Sequence, residues 1–142
     1  VNAGISGSTT AGIVSRLKWQ MRVKPAPRVL ILALGGNDGL RGLDPEQSYT
    51  NLKKAIEFAT AKKLKVVLAG MYAPPNMGKK YTESFRNTYT KLAKEFAVKF
   101  IPFLLEGVAA DPKLNLADGI HPNPSGRKVV AKTVYSALKD IL

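Results

Sequence analysis

The sequence predicts an α/β protein, a three-layer α/β/α sandwich built on a parallel sheet. The apolar runs RVLILAL (28–34) and KVVLAG (65–70) are continuous and lack period-two alternation, which is typical of strands covered on both faces. Helical patterns stand between these runs, and such alternation favours parallel strands joined by right-handed crossovers. With 142 residues, the chain has the length of one domain.

The first helix is predicted after a glycine-rich segment. Ser8 or Thr9 is placed to cap a helix whose apolar face consists of Ile13, Leu17 and Met21. The preceding residues, VNAGISG, are expected to form the end of a strand that enters a glycine-rich loop.

The second helix has a strong start signal. Asp44 can cap it, Pro45 suits its first position, and Gln47 is placed to reach back to the cap. Its apolar face consists of Leu52, Ile56 and Ala59.

Two more helices and a third strand complete the pattern. The next helix carries a stripe at three- and four-residue spacing, made of Phe85, Tyr89, Leu92 and Phe96, which indicates core rather than a cofactor site. VKFIPF (98–103) is the third strand, and Pro102 places it at a sheet edge or marks its end. Asn123 and Pro124 open the last helix, whose predicted buried residues are Val130, Val134, Leu138 and Ile141.

Composition excludes several classes of protein. Cysteine is absent, so neither disulfides nor thiolate chemistry is possible. The net charge of +12 comes mainly from scattered lysine pairs, without an arginine-rich helix or interleaved aromatic residues. This pattern favours a solvated surface first and attraction to an anionic membrane surface second, and it argues against nucleic-acid binding.

Candidate chemistry lies where ligands bind in such folds, beyond the carboxyl ends of the strands. GGND (35–38) follows the first strand, and Asn37 offers an uncharged NH2 donor suited to a developing oxyanion. Gly7 can present a backbone N–H in the same way. The competing interpretation of GGND is an ordinary turn.

The only histidine, His121, follows Asp118 by three residues in the turn DGIHP. A carboxylate that holds one imidazole nitrogen as a donor leaves the other to take a proton from a nucleophile. The competing interpretation is a surface turn with an incidental histidine.

Together, GGND, DGIHP and VNAGISG resemble the SGNH hydrolases, also called GDSL-type lipases and esterases. The likeness is greatest to bacterial arylesterases and to the periplasmic acyl-CoA thioesterase/lysophospholipase type, and it extends over nearly the whole chain. The resemblance implies a flavodoxin-like fold, Asp118 and His121 as triad members, and Gly7 and Asn37 as oxyanion-hole donors. No metal or organic cofactor is expected, since one histidine and scattered carboxylates form no ligand cluster. The resemblance implies a periplasmic or secreted location, for which the chain carries no signal.

The nucleophile that the resemblance implies is absent. The serine of this family lies in a Gly-Asp-Ser-(Leu) block after the first strand, and no such block occurs here. The candidate serines are Ser6, Ser8, Ser84 and Ser125. None of them follows a strand at the edge of the sheet where the site is expected. Residues 1–142 are therefore expected to be one SGNH-hydrolase domain that is incomplete at the N-terminus. It would lack its first strand and nucleophile loop, so the sheet edge beginning at Arg28 would be exposed.

The predicted function is a serine hydrolase acting through an acyl-enzyme on carboxylic esters or thioesters. Short-chain or aryl esters, acyl-CoA and lysophospholipids are the candidate small-molecule substrates, and an N-terminal segment of the same protein supplies the serine. The chain alone is expected to be inactive. The alternative is a catalytically silent basic module that binds anionic lipid or polymer.

Overall fold

Three parallel strands form the sheet in the computed structural model, which describes all 142 residues. The strands are β1 (Val29–Leu32), β2 (Lys65–Ala69) and β3 (Lys99–Ile101), in the order β1-β2-β3. All three apolar runs are confirmed as strands, although each strand is shorter than its run. Pro102 lies directly after β3, so it marks the end of that strand, which is also a sheet edge.

Helices cover the sheet on both sides, which confirms the α/β sandwich. They are α1 (Ile13–Gln20), α2 (Gly36–Leu40), α3 (Pro45–Ala61), α4 (Lys79–Phe96) and α5 (Pro124–Leu138), with a short 3-10 turn at Pro75–Met77. The helices α1, α3 and α4 pack together over one face, and α5 packs against β3 on the other. None of the helices combines the length and hydropathy needed to cross a membrane.

The larger core lies between the sheet and the three helices on its first face. The two predicted helical stripes are buried there, with 0–1% exposure for Leu52, Ile56, Ala59, Phe85, Tyr89 and Leu92. Phe96, at the end of α4, is only partly buried. Successive aromatic rings on α4 contact one another and stiffen this layer, with the centroids of Phe85 and Tyr89 5.6 Å apart.

The second face of the sheet is less completely covered than predicted. Val67 is fully buried against α5, but its neighbour in register on β1, Ile31, is 42% exposed. The predicted apolar residues of α5 are only partly buried, and Ile141 lies beyond the end of the helix. The prediction that β1 is covered on both faces is therefore wrong, because α5 lies over β3 rather than β1.

The N-terminal region differs from the prediction in three respects. No strand is present in residues 1–7. The N-cap of α1 is Gly12, in a left-handed conformation with no side-chain cap, so neither Ser8 nor Thr9 caps the helix. The Ser8 hydroxyl instead accepts a hydrogen bond from Arg16 Nη1 at 3.1 Å.

At the start of α3 the predicted cap is confirmed only in part. Asp44 Oδ1 accepts a hydrogen bond from the Glu46 N–H at 3.0 Å, and Pro45 occupies the first helical position. Gln47 does not reach back, because its side chain donates to Asn51 Oδ1 one turn further along the helix.

Candidate active site

Asp118 and His121 form a closed unit inside one turn. Asp118 Oδ1 accepts hydrogen bonds from the N–H groups of Ile120 and His121, both at 2.9 Å. Asp118 Oδ2 lies 2.8 Å from His121 Nδ1. Since an ionised carboxylate can only accept, Nδ1 is the protonated ring nitrogen, and Nε2 is left as the acceptor in the neutral imidazole.

Hydrogen bonds stabilise the negative charge of the Asp118 carboxylate. The backbone N–H groups of His121 and Ile120, followed by the His121 side chain, lower the pKa of Asp118 to about 2. His121 is 68% exposed, and its Nε2 makes no hydrogen bond within the protein. The ionised Asp118 carboxylate therefore orients the imidazole through Nδ1, while Nε2 is accessible.

This turn is fastened to the start of α5. Leu116 N–H donates to His121 O at 2.8 Å, and Asn123 N–H donates to Leu114 O at 2.9 Å. The Asn123 side chain caps α5 by accepting from the first N–H groups of the helix. Gly126 permits the close approach, since a Cβ there would lie 2.1 Å from Leu114 O.

The GGND segment is a short helix, α2, and not the simple turn of the competing interpretation. Gly35 precedes it with a φ of +114°, and a Cβ on this residue would lie 2.0 Å from Tyr89 Oη. Tyr89 Oη donates to Leu34 O at 3.0 Å, and burial raises the pKa of Tyr89, which keeps the hydroxyl protonated. Glycine is thus required at position 35 both for its backbone conformation and for space.

Of the two predicted oxyanion donors, Asn37 lies in α2 and Gly7 is bonded to Arg41, the residue directly after that helix. Asn37 Nδ2 donates one hydrogen bond to Ser8 O at 2.9 Å, which fixes the amide and leaves its second hydrogen unused. Gly7 has a φ of +73° and its carbonyl accepts from Arg41 Nη2 at 3.0 Å. The Gly7 N–H makes no hydrogen bond, so each residue retains one free donor.

Asp38, the residue after Asn37, has a role that the sequence analysis did not find. Its carboxylate is 2% exposed and accepts from the Thr10 N–H at 2.9 Å, the Thr10 hydroxyl at 2.6 Å and the Ser48 hydroxyl at 3.1 Å. Asn51 Nδ2 in turn donates to Thr10 Oγ1 at 3.0 Å. We call these four residues the Asp38 network. It joins the segment before α1, the helix α2 that carries Asn37, and α3.

One sequence signal for this network exists in retrospect. GSTT (7–10) and QS (47–48) supply hydroxyl groups on either side of Asp38 in the sequence. A buried carboxylate requires such donors, but their identity cannot be deduced from spacing, because Thr10 lies 28 positions away.

A cavity of about 610 Å³ extends between the two halves of the site. Gly36 and Leu40 border it on the α2 side, and Gly119 and Ile120 border it on the Asp118–His121 side. Most of its wall is apolar, including the stacked rings of Tyr72 and Phe103, whose centroids are 4.0 Å apart. No hydrogen bond joins the Asp118–His121 pair directly to Gly7 or Asn37.

No serine hydroxyl contacts the histidine. Ser125 lies in the first turn of α5, Ser84 lies in α4, and Ser8 is bonded to Arg16. Nothing in the structure gathers three or more His, Asp or Glu side chains into a group that could hold a metal ion.

Several known proteins are similar to this chain in sequence. Esterase TesA of Pseudomonas aeruginosa is 39% identical over 142 residues, which is 100% of this chain and 70% of the relative. Arylesterase of Vibrio mimicus is 37% identical over 138 residues, covering 97% of this chain and 68% of the relative. Thioesterase 1/protease 1/lysophospholipase L1 of Escherichia coli is 37% identical over 142 residues, covering 100% and 68%.

The structural comparison agrees. A crystal structure of TesA superposes with a TM-score of 0.93 at 39% identity, over 100% of this chain and 78% of that one. Residues 1–129 match the GDSL-like Lipase/Acylhydrolase family. The sequence relatives, the fold and the family match agree: this chain belongs to the GDSL-like lipase/acylhydrolase family and is a hydrolase that acts on esters.

Proposed function

We propose that the protein is a serine hydrolase that cleaves carboxylic esters or thioesters through an acyl-enzyme. The observation that carries the proposal is the 2.8 Å contact between His121 Nδ1 and Asp118 Oδ2, beside an apolar cavity that reaches α2. A histidine with one nitrogen held by a permanent carboxylate and the other exposed has the form that a general base requires.

In the proposed mechanism, His121 Nε2 takes the proton of the attacking serine. Asp118 holds the tautomer and stabilises the imidazolium that forms, while remaining ionised itself. The same nitrogen returns the proton to the leaving alcohol or thiol. A water molecule, activated by His121, then hydrolyses the acyl-enzyme.

Stabilisation of the oxyanion is assigned to two free hydrogen-bond donors. The second hydrogen of Asn37 Nδ2 and the N–H of Gly7 are unused inside the protein. Preorganised donors of this kind stabilise the charge that develops on the carbonyl oxygen, and each is worth roughly 3–4 kcal/mol in the transition state. The fixed bond from Asn37 to Ser8 O supports this role, because the amide does not need to reorganise during the reaction.

The serine is assigned to a segment of the same protein that precedes Val1, completing one SGNH-hydrolase domain. The matched part accounts for 68–70% of the length of the curated relatives. Strand β1 pairs on one side only, and the exposed Ile31 on its open face is suited to packing against further chain.

The cavity favours esters with a small apolar or aromatic group. Its volume is about 610 Å³, and stacked Tyr72 and Phe103 form part of its wall. The names of the relatives, arylesterase and thioesterase/lysophospholipase, cover both ester and thioester chemistry. A periplasmic or secreted location and contact with an anionic membrane surface remain predictions of the family resemblance and of the charge.

The test is hydrolysis of short-chain p-nitrophenyl esters combined with fluorophosphonate labelling, which reports an activated serine. Residues 1–142 alone are expected to show neither, and addition of the upstream segment restores both, with the adduct on that segment. An adduct mapped to Ser6, Ser8, Ser84 or Ser125 contradicts the assignment of the nucleophile. A complete protein that binds anionic vesicles but neither labels nor hydrolyses favours the silent basic module instead.

A further inference from the structure

The cavity beside the proposed site contains one cation without a partner, Arg86. It is an exposed residue of α4, one turn after Thr82, and it lines a cavity whose wall is otherwise mostly apolar. No hydrogen bond or ion pair in the protein uses the Arg86 side chain. The other charged residue of the cavity, Glu83, lies 3.8 Å from Lys79 and three residues before Arg86 without bonding to it.

An unpaired guanidinium at an apolar cavity is specific in what it can bind. Its planar group of five N–H donors matches two oxygen atoms of a carboxylate or phosphate, and it accepts no hydrogen bond. Apolar walls on one side reduce the competition from water and strengthen such a contact. A neutral ester occupying the cavity would leave these donors to solvent.

We infer that Arg86 is a specificity-determining residue that recognises an anionic oxygen group, a carboxylate or a phosphate, on the portion of the substrate that enters the cavity. This inference rests on the proposed function, since it concerns the substrate of the same site. The preferred substrate then has an apolar body that lies along Tyr72 and Phe103 and an anionic group at the α4 side. Arg86 acts on binding and lies outside the proton relay.

The first experiment uses the complete protein and two aryl esters of matched chain length, p-nitrophenyl pentanoate and mono-p-nitrophenyl glutarate. Arg86→Gln is expected to raise KM for the glutarate ester about five- to tenfold and to leave kcat unchanged, because the charge is remote from the reacting carbon. KM for the pentanoate ester should not change. The increase in KM should shrink at high ionic strength, as an exposed ion pair requires.

A matched control separates this effect from bulk charge. Lys94→Gln removes one positive charge from the same helix, at an exposed position outside the cavity. It is expected to alter neither ester. If Lys94→Gln and Arg86→Gln change the glutarate KM equally, or if neither changes it, the inference is wrong and Arg86 merely covers apolar surface.

A binding measurement keeps this inference separate from the proposed function, because it needs no turnover. Hexanoate, hexyl phosphate and neutral hexanol are compared by thermal shift at concentrations about ten times Kd. A Tm increase of about 3–5 °C is expected for an anionic ligand in the unmodified protein and none in Arg86→Gln. The anion that gives the larger shift identifies carboxylate or phosphate as the group recognised. Shifts without ester hydrolysis refute the proposed function alone, whereas hydrolysis with equal shifts for hexanol and both anions refutes the role of Arg86 alone.

Discussion

The two halves of the proposed site are built over very different distances along the chain. His121 is oriented entirely by Asp118, three positions away, and the turn folds back on itself before α5 begins. Asn37 depends on α2, and α2 is held by the Asp38 network, whose hydrogen bonds join residues 10, 28 and 41 positions apart. His121 in the first half is exposed, whereas the Asp38 carboxylate that anchors the second half is buried.

Because the two halves are built differently, one is expected to matter mainly for the reaction and the other mainly for the stability of the fold. The exposed His121 side chain contributes little packing, so removing it should change the reaction without changing the fold. The Asp38 carboxylate satisfies three donors in the interior, and removing it leaves those donors unpaired. Substitutions in the two halves should therefore affect different measurements.

The largest effect on activity is expected for His121→Ala in the complete protein. Loss of the general base should lower kcat for a short-chain p-nitrophenyl ester by three to four orders of magnitude or more, roughly what removal of a triad member costs. Tm should stay within about 1 °C, because the ring is 68% exposed. Activity within tenfold of the unmodified protein would contradict the assignment.

The largest effect on stability is expected for Asp38→Ala. Breaking a buried charged network of this kind costs about 3–5 kcal/mol of unfolding free energy. Denaturant unfolding measures this loss, and Asp44→Ala is the matched control, since that exposed cap should cost only about 1 kcal/mol. Equal losses in the two variants would show that the Asp38 network does not hold α2 in place.

Asn37→Ala is expected to affect both activity and stability, each less than His121→Ala and Asp38→Ala do respectively. The oxyanion role predicts a kcat lower by about 10²–10³-fold with little change in KM. Loss of the bond to Ser8 O should cost about 1 kcal/mol of stability, within the usual range for one hydrogen bond. A stability loss as large as that of Asp38→Ala, with kcat preserved, would make Asn37 a structural residue only.

The same difference in distance explains what could be predicted from the sequence. The strands, the long helices and the Asp118–His121 turn follow from local patterns, namely apolar runs, helical spacing and a carboxylate three residues before the only histidine. The Asp38 network depends on which hydroxyl groups the tertiary fold brings to one carboxylate. Spacing contains no information about that, so the contact between Thr10 and Asp38 could not be predicted.

The exposed face of β1 has a similar explanation. A continuous apolar run predicts burial on both faces, and the run at 28–34 does not reveal which helix will cover each face. Ile31 is open because α5 packs over β3. Local hydrophobicity thus predicted the strand correctly, while its position in the layer depended on the topology.

The smallest predicted effect is a change in the pKa of the Asp118 carboxyl group. Because the pKa of Asp118 is lowered from its ordinary value of 3.8 to about 2, the charged turn is fully stabilised above pH 3.8 and loses that stabilisation as the pH falls towards 2. An NMR titration of the Asp118 carboxyl carbon should therefore show a midpoint near 2. In His121→Ala the two backbone N–H donors, which include the largest cause of the shift, remain, so the midpoint should rise only part of the way to 3.8. A full return to 3.8 in that variant would contradict this account and mean that the imidazole, and not the backbone of the turn, holds the carboxylate.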